Sequence, residues 1–295
     1  MHTRRRAPHH RRSWLFVPGA ERQPLTDAPA LGADVLIQEL EDSVPPQRRV
    51  DARELCQDIL MAWNAAGVLS AVRINPLEGG GTDDLAAAMR GRPAVVLMSK
   101  VASPEQVRRL DHAIAALEQE LGIPAGATEI VPNIETAAGL VRTAEIVRAS
   151  PRVTAALVAA EDMAADLGAE RTPACTELAY ARSRFLVECV AAGIVAIDCP
   201  YTFTDLAQAE IDTRYARALG YKAKSVVNPD QVALVNRILT PSLEEVRHAS
   251  RIVEAFEAAR AKGRDRAEVD GLMVEVPTFL AAKRLLARAA ELQQA

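Results

Sequence analysis

The sequence predicts an α/β protein, a closed parallel (β/α)8 TIM barrel with a C-terminal helical extension. Three observations point there. Short apolar runs recur along the 295 residues, and strands buried on both faces of a parallel sheet read as such runs. Amphipathic helical stretches separate them, the alternation expected of a parallel α/β fold. Eight such units in one chain of this length suit a barrel. A doubly wound open sheet is the alternative, and it usually carries a glycine-rich phosphate turn after its first strand. Pro18-Gly19-Ala20-Glu21 is not that turn.

Each element has its own signal. The expected strands cover residues 14–17, 35–40, 71–75, 94–98, 129–134, 155–159, 195–199 and 223–227. Ser103-Pro104-Glu105-Gln106 supplies an N-cap, a proline for the first helical position and a first-turn acid. Val107, Leu110, Ile114 and Leu117 follow at helical spacing, up to Gly122. Thr172-Pro173 opens another helix ending near Gly193, and Thr240-Pro241-Ser242 a third, running to Lys262. Residues 260–268 read as a charged loop, Asp270-Gly271 as a turn into an extended stretch, and 278–292 as a final amphipathic helix. The expected domains are a solvated, disordered basic tail over 1–12, the barrel over 13–262, and an extension over 263–295.

Composition narrows the function. A net charge of −4 gives no general attraction to nucleic acid or to an anionic membrane. No apolar run approaches a membrane span. The four cysteines lack CxxC or zinc spacing and read as free thiols of a reducing cytoplasm. Beyond the basic start only His112 and His248 remain, which argues against a His-based triad or an HExxH zinc site.

Barrel enzymes place their chemistry at the C-terminal ends of strands. Here those positions hold Glu39, Glu41 and Asp42, then Arg73 and Asn75, Ser99 and Lys100, Asn133 and Glu135, Glu161 and Asp162, Asp198, and Asn228. Each has a plainer reading: Glu41 and Asp42 as helix caps, Glu161 as a first-turn acid, Asp198 as a packed turn residue. Together they describe a polar mouth. Glu135 and Asp162, at neighbouring exits, can share one hard divalent cation. Oxygen donors without histidine favour magnesium, with manganese as the alternative, over zinc. Arg73 can grip a carboxylate through two parallel hydrogen bonds. This chemistry suits a 2-oxo or 2-hydroxy acid in carbon–carbon bond cleavage or formation.

The stretches Ser13 to Gly19, Leu40-Glu41-Asp42-Ser43-Val44, Arg73-Ile74-Asn75-Pro76, Ile134-Glu135-Thr136-Ala137, Ala160 to Gly168 and Asn228-Pro229-Asp230-Gln231 form an ordered set. By that set the chain resembles the citrate lyase beta-subunit-like family, which includes malyl-CoA and citramalyl-CoA lyases. The resemblance implies a magnesium-binding barrel, usually trimeric or hexameric. It implies Glu135 and Asp162 as metal ligands, Arg73 as the anchor of the oxo acid, and Glu41 and Asp42 as acids behind the metal. It further implies that backbone N–H groups around Glu161 and Asp162 hold the substrate carboxylate. Asp270 matches an acid/base that the C-terminal segment carries to a neighbouring subunit. The implied substrates are a CoA thioester and a 2-oxo acid, in a lyase that cleaves or forms a 3-hydroxy-dicarboxylyl-CoA. The chain departs from the usual pattern at Ala102, Ala159, Asn228 and Leu272, and keeps only Arg22 of the basic residues after the Pro-Gly turn. These departures motivate two alternatives: a metal-dependent aldolase for a free hydroxy-oxo acid, and a non-catalytic family member.

Overall fold

The computed structural model describes residues 6–294 of the chain. Eight parallel strands close into a barrel in sequence order: β1 (Ser13–Pro18), β2 (Val35–Glu39), β3 (Leu69–Ile74), β4 (Val95–Met98), β5 (Glu129–Ile134), β6 (Ala155–Val158), β7 (Val195–Asp198) and β8 (Ala223–Val226). Closure comes from β1 pairing with β8 through Ser13–Lys224, Trp14–Ser225 and Leu15–Val226. The expected strands are all present, with ends shifted by up to two residues.

Alternation along each strand sorts its residues between interior and helix layer. Trp14, Val35, Ile37, Ala71, Val95, Leu97, Val131, Leu157 and Ile197 interlock inside the barrel. The interior is therefore packed with side chains rather than open. The expected helix after Ser103 runs Pro104–Glu120, and the Ser103–Gln106 capping box starts it. The helix expected from Thr172-Pro173 begins later, at Ala179, because Thr172 to Leu178 form turns around Glu177.

Residues 6–12 correct one expectation. They do not form a solvated tail but close the end of the barrel where the strands begin. Arg11 is 1% exposed and donates to both oxygens of Glu129 at 2.7 and 2.8 Å. Arg12 grips Asp34 through its backbone N–H at 2.7 Å and its guanidinium at 2.8 and 2.9 Å. The portion of the expected tail over residues 1–5 lies outside the described residues.

The chain divides into two compact units, one ending at Arg237 and the other beginning at Ile238. This places helix Leu243–Ala261, expected in the barrel domain, in the second unit. There it packs Ala249, Ile252 and Phe256 with Val269, Val274 and Ala282, and Phe256 stacks on Phe279 at 4.7 Å. The stretch read as a charged loop contributes a strand, β9 (Ala267–Val269), paired antiparallel with β10 (Leu272–Val274). Asp270 and Gly271 make the two-residue turn with φ of 51° and 78°, the left-handed pair that a tight hairpin requires. The final helix spans Val276–Gln294. No described helix is long and apolar enough to cross a membrane.

Candidate active site

The strands all point their C-terminal ends to one mouth, which holds a cavity of about 370 Å³ lined by Phe16, Arg73, Leu157, Glu161, Asp162 and Thr202 among others. Gly19 lets the first two exits converge. A Cβ there would sit 1.8 Å from the Glu39 carbonyl oxygen, so the Pro-Gly turn must end in glycine.

Arg73 organises this mouth. It donates to Glu39 through Nε and lies 3.3 Å from Glu41, 3.4 Å from Asp42 and 3.8 Å from Glu135. Its guanidinium rests over the Phe16 ring, 4.8 Å from the centroid. Glu39 also accepts the backbone N–H of Glu41 at 2.6 Å, which fixes the turn carrying Glu41 and Asp42. Lys100 reaches across from the exit of β4 and donates to Glu41 at 2.6 Å. Its φ of 54° is left-handed, an uncommon backbone state for a side chain other than glycine. The hydrogen bond to Glu41 leads the causes that hold the Lys100 ammonium above its ordinary pKa.

Glu135 is fully buried. Among the described residues neither of its carboxylate oxygens has a hydrogen-bond partner. Burial pushes its pKa up to about 8; the nearby Arg73 opposes this, while the charges of Asp162 and Glu41 add to it. Asp162 lies in the first turn of helix Glu161–Leu167 and lines the cavity. Acids therefore outnumber cations here: Glu39, Glu41, Asp42, Glu135 and Asp162 face Arg73 and Lys100. An unpaired buried carboxylate in such a set is costly unless a cation joins it, and an all-oxygen donor set suits magnesium.

The structure thus brings together Arg73, Glu41, Asp42, Glu135 and Asp162. It gives Glu161 a different surrounding. The Glu161 side chain accepts from Thr202 Oγ1 at 2.5 Å and from Arg171 Nε at 3.1 Å, at the rim. Arg171 and Thr202 were missed in the sequence because both lie in irregular loops, Arg171 after helix Glu161–Leu167 and Thr202 after β7. The general rule that such loops build a barrel's site is the signal that finds them. Asp270 belongs to the second unit, where Arg251 donates to it at 2.7 Å and His248 lies at 3.3 Å. Arg251 holds the Asp270 carboxyl below its ordinary pKa.

Among the other strand-end residues, Asp198 turns away from the mouth. Asp198 alternates with the interior Ile197 and so points into the helix layer. It accepts from Arg182 at 2.7 and 2.9 Å and from Lys224 at 2.6 Å, and both cations also bind Asp212. All four side chains are buried. Asn75 donates to Asp84 and to the Leu40 carbonyl, Ser99 donates to the Ile74 carbonyl, and Asn228 accepts the N–H of Asp230. A second, open depression of about 680 Å³ adjoins the Pro-Gly turn, lined by Ala20, Arg22, Arg48 and Leu55 among others.

Residues 12–229 match the family described as HpcH/HpaI aldolase/citrate lyase. The chain is 34% identical over 281 residues to the citrate lyase subunit beta of Escherichia coli strain K12, covering 95% of this chain and 93% of that protein. It is 31% identical over 283 residues to a (3S)-malyl-CoA thioesterase of Cereibacter sphaeroides, with 95% of each covered. Among solved structures it is similar to the CitE protein of Mycobacterium tuberculosis in complex with magnesium, acetoacetate and coenzyme A. That likeness has a TM-score of 0.76 and 28% identity, and covers 95% of this chain and 98% of the other.

Proposed function

The chain belongs to the HpcH/HpaI aldolase/citrate lyase family, and from that premise we propose that it is a magnesium-dependent carbon–carbon lyase. Its substrate is a 3-hydroxy-dicarboxylyl-CoA thioester of malyl-CoA or citramalyl-CoA type. The enzyme cleaves it to an acyl-CoA and glyoxylate or pyruvate, or runs the reverse condensation. The observation that carries the reading is Glu135: a buried carboxylate without a hydrogen-bond partner among the described residues, beside Asp162 and Arg73.

Glu135 and Asp162 would hold the cation, with Glu41 and Asp42 behind it. The ion supplies Lewis-acid polarisation of the oxo-acid oxygens. Arg73, kept cationic by Glu39 and Glu41, binds the oxo-acid part and offers donors where negative charge develops. Backbone N–H groups at the start of helix Glu161–Leu167 face the substrate carboxylate, as helix N-termini favour anions. Glu161 itself serves the rim through Arg171 and Thr202. Asp270, supplied by a neighbouring subunit of a trimer or hexamer, moves the proton at the thioester α-carbon. In cleavage it takes the 3-hydroxyl proton as the carbon–carbon bond breaks into the oxo-acid carbonyl and the thioester enolate, then passes that proton to the α-carbon; condensation runs the same transfers in reverse. Arg251 keeps Asp270 ionised, which poises it as the base of the condensation direction.

The test is oxo-acid release from malyl-CoA and citramalyl-CoA, with magnesium and with chelator, alongside the free acids. Metal-dependent glyoxylate or pyruvate from a thioester supports the lyase. Release from free acids alone replaces it with the aldolase. The likeness to a malyl-CoA thioesterase favours a second reading, hydrolysis at the same mouth. It requires free CoA to accumulate while the carbon–carbon bond stays intact.

A further inference from the structure

Asn133 is a polar side chain that the fold itself does not use. It lies on β5, two residues before Glu135, and pairs in register with Leu157, which lines the mouth cavity. Val131 and Leu157 both point into the barrel interior. Alternation therefore sends Asn133 and Glu135 to that same side. Asn133 is fully buried, and among the described residues neither its Nδ2 nor its Oδ1 has a hydrogen-bond partner. Folded proteins pair nearly all their buried polar atoms, and asparagine is a poor choice for a buried strand. An unpaired amide beneath an unpaired carboxylate marks a place kept for something other than protein.

We propose that Asn133 is a positioning residue for the cation site: it holds an ordered water against Glu135 and so fixes which way that carboxylate faces. The amide carries both a donor and an acceptor, and a buried water needs two or more polar partners. Carboxylates that bind metals are themselves held by hydrogen bonds of this kind. The inference rests on the reading of Glu135 and Asp162 as metal ligands and adds a residue to it.

The test is direct titration of the full-length protein with Mn2+, followed by electron paramagnetic resonance, together with thermal unfolding in chelator. Asn133→Leu should weaken Mn2+ binding roughly 10- to 100-fold. Its melting temperature in chelator should stay unchanged or rise, since an unpaired buried amide has gone. Asn133→Ser, whose hydroxyl can still hold a water, should recover part of the affinity. Wild-type Mn2+ affinity in Asn133→Leu overturns the proposal. If Asn133→Leu does not fold, Asn133→Ser decides: affinity several-fold below wild type supports the proposal and unchanged affinity overturns it. A wild-type protein that binds no Mn2+ overturns the metal reading itself, and the proposal with it.

Discussion

Glu135 shows how burial and charge oppose each other at a single residue. The unfolded chain releases this proton near the ordinary glutamate value, and the folded, metal-free chain near pH 8. Between those values the folded state binds the extra proton, so its stability falls as pH rises and levels off above the folded pKa. Urea unfolding in chelator from about pH 5 to about pH 8 should show this decline, and Glu135→Gln should flatten it. The same variant should bind no magnesium and lose turnover. Arg73→Lys keeps the charge but loses the planar fork. It should cost about 2 kcal/mol of transition-state binding, roughly 30-fold in kcat/KM, in steady-state assays. Glu135, Asp162 and Arg73 were legible because acids and an arginine after apolar runs stand out. For Asp198 the sequence left two readings open, a mouth acid or a packed turn residue, for a reason of the same scale. A strand-end position says nothing about which face the side chain takes, and the interior Ile197 sends its neighbour outward.

The elements themselves were legible wherever both faces are buried, since β1 to β8 announce themselves as apolar runs. Of the hairpin, the turn at Asp270-Gly271 and the extended stretch after it were legible, but β9 was not, because it follows a charged stretch and Glu268 is exposed. Residues 6–12 escaped for the opposite reason. Arginine-rich sequence reads as solvated, yet Arg11 is buried by its pairing with Glu129. Between β7, β8 and the helices Ala179–Ala192 and Leu206–Leu219, the buried set of Arg182, Lys224, Asp198 and Asp212 balances its own charge. Removing one member strands the rest. Lys224→Met should destabilise the protein by about 3–5 kcal/mol, measured by denaturant unfolding. Turnover per folded molecule should be unaffected, because none of these groups faces the mouth.

For the whole molecule, the division at residues 237 and 238 separates two sets of chemical groups. Glu135, Asp162 and Arg73 belong to the first unit and Asp270 to the second. If Asp270 serves a neighbouring copy, Glu135→Gln and Asp270→Asn proteins should each be inactive alone. Unfolded together and reassembled, they should regain a measurable fraction of turnover, because some mouths then receive an intact partner for each role. Mixtures that stay inactive would confine Asp270 to its own chain or remove it from the chemistry. The packed barrel interior carries a kinetic consequence. With Trp14, Leu157 and their neighbours filling the centre, and Arg11 closing the far end, the mouth is the doorway for everything that enters or leaves. Whatever sits deepest, against Arg73, departs last. The small oxo acid should therefore be a product inhibitor competitive with the thioester substrate, and the acyl-CoA should not.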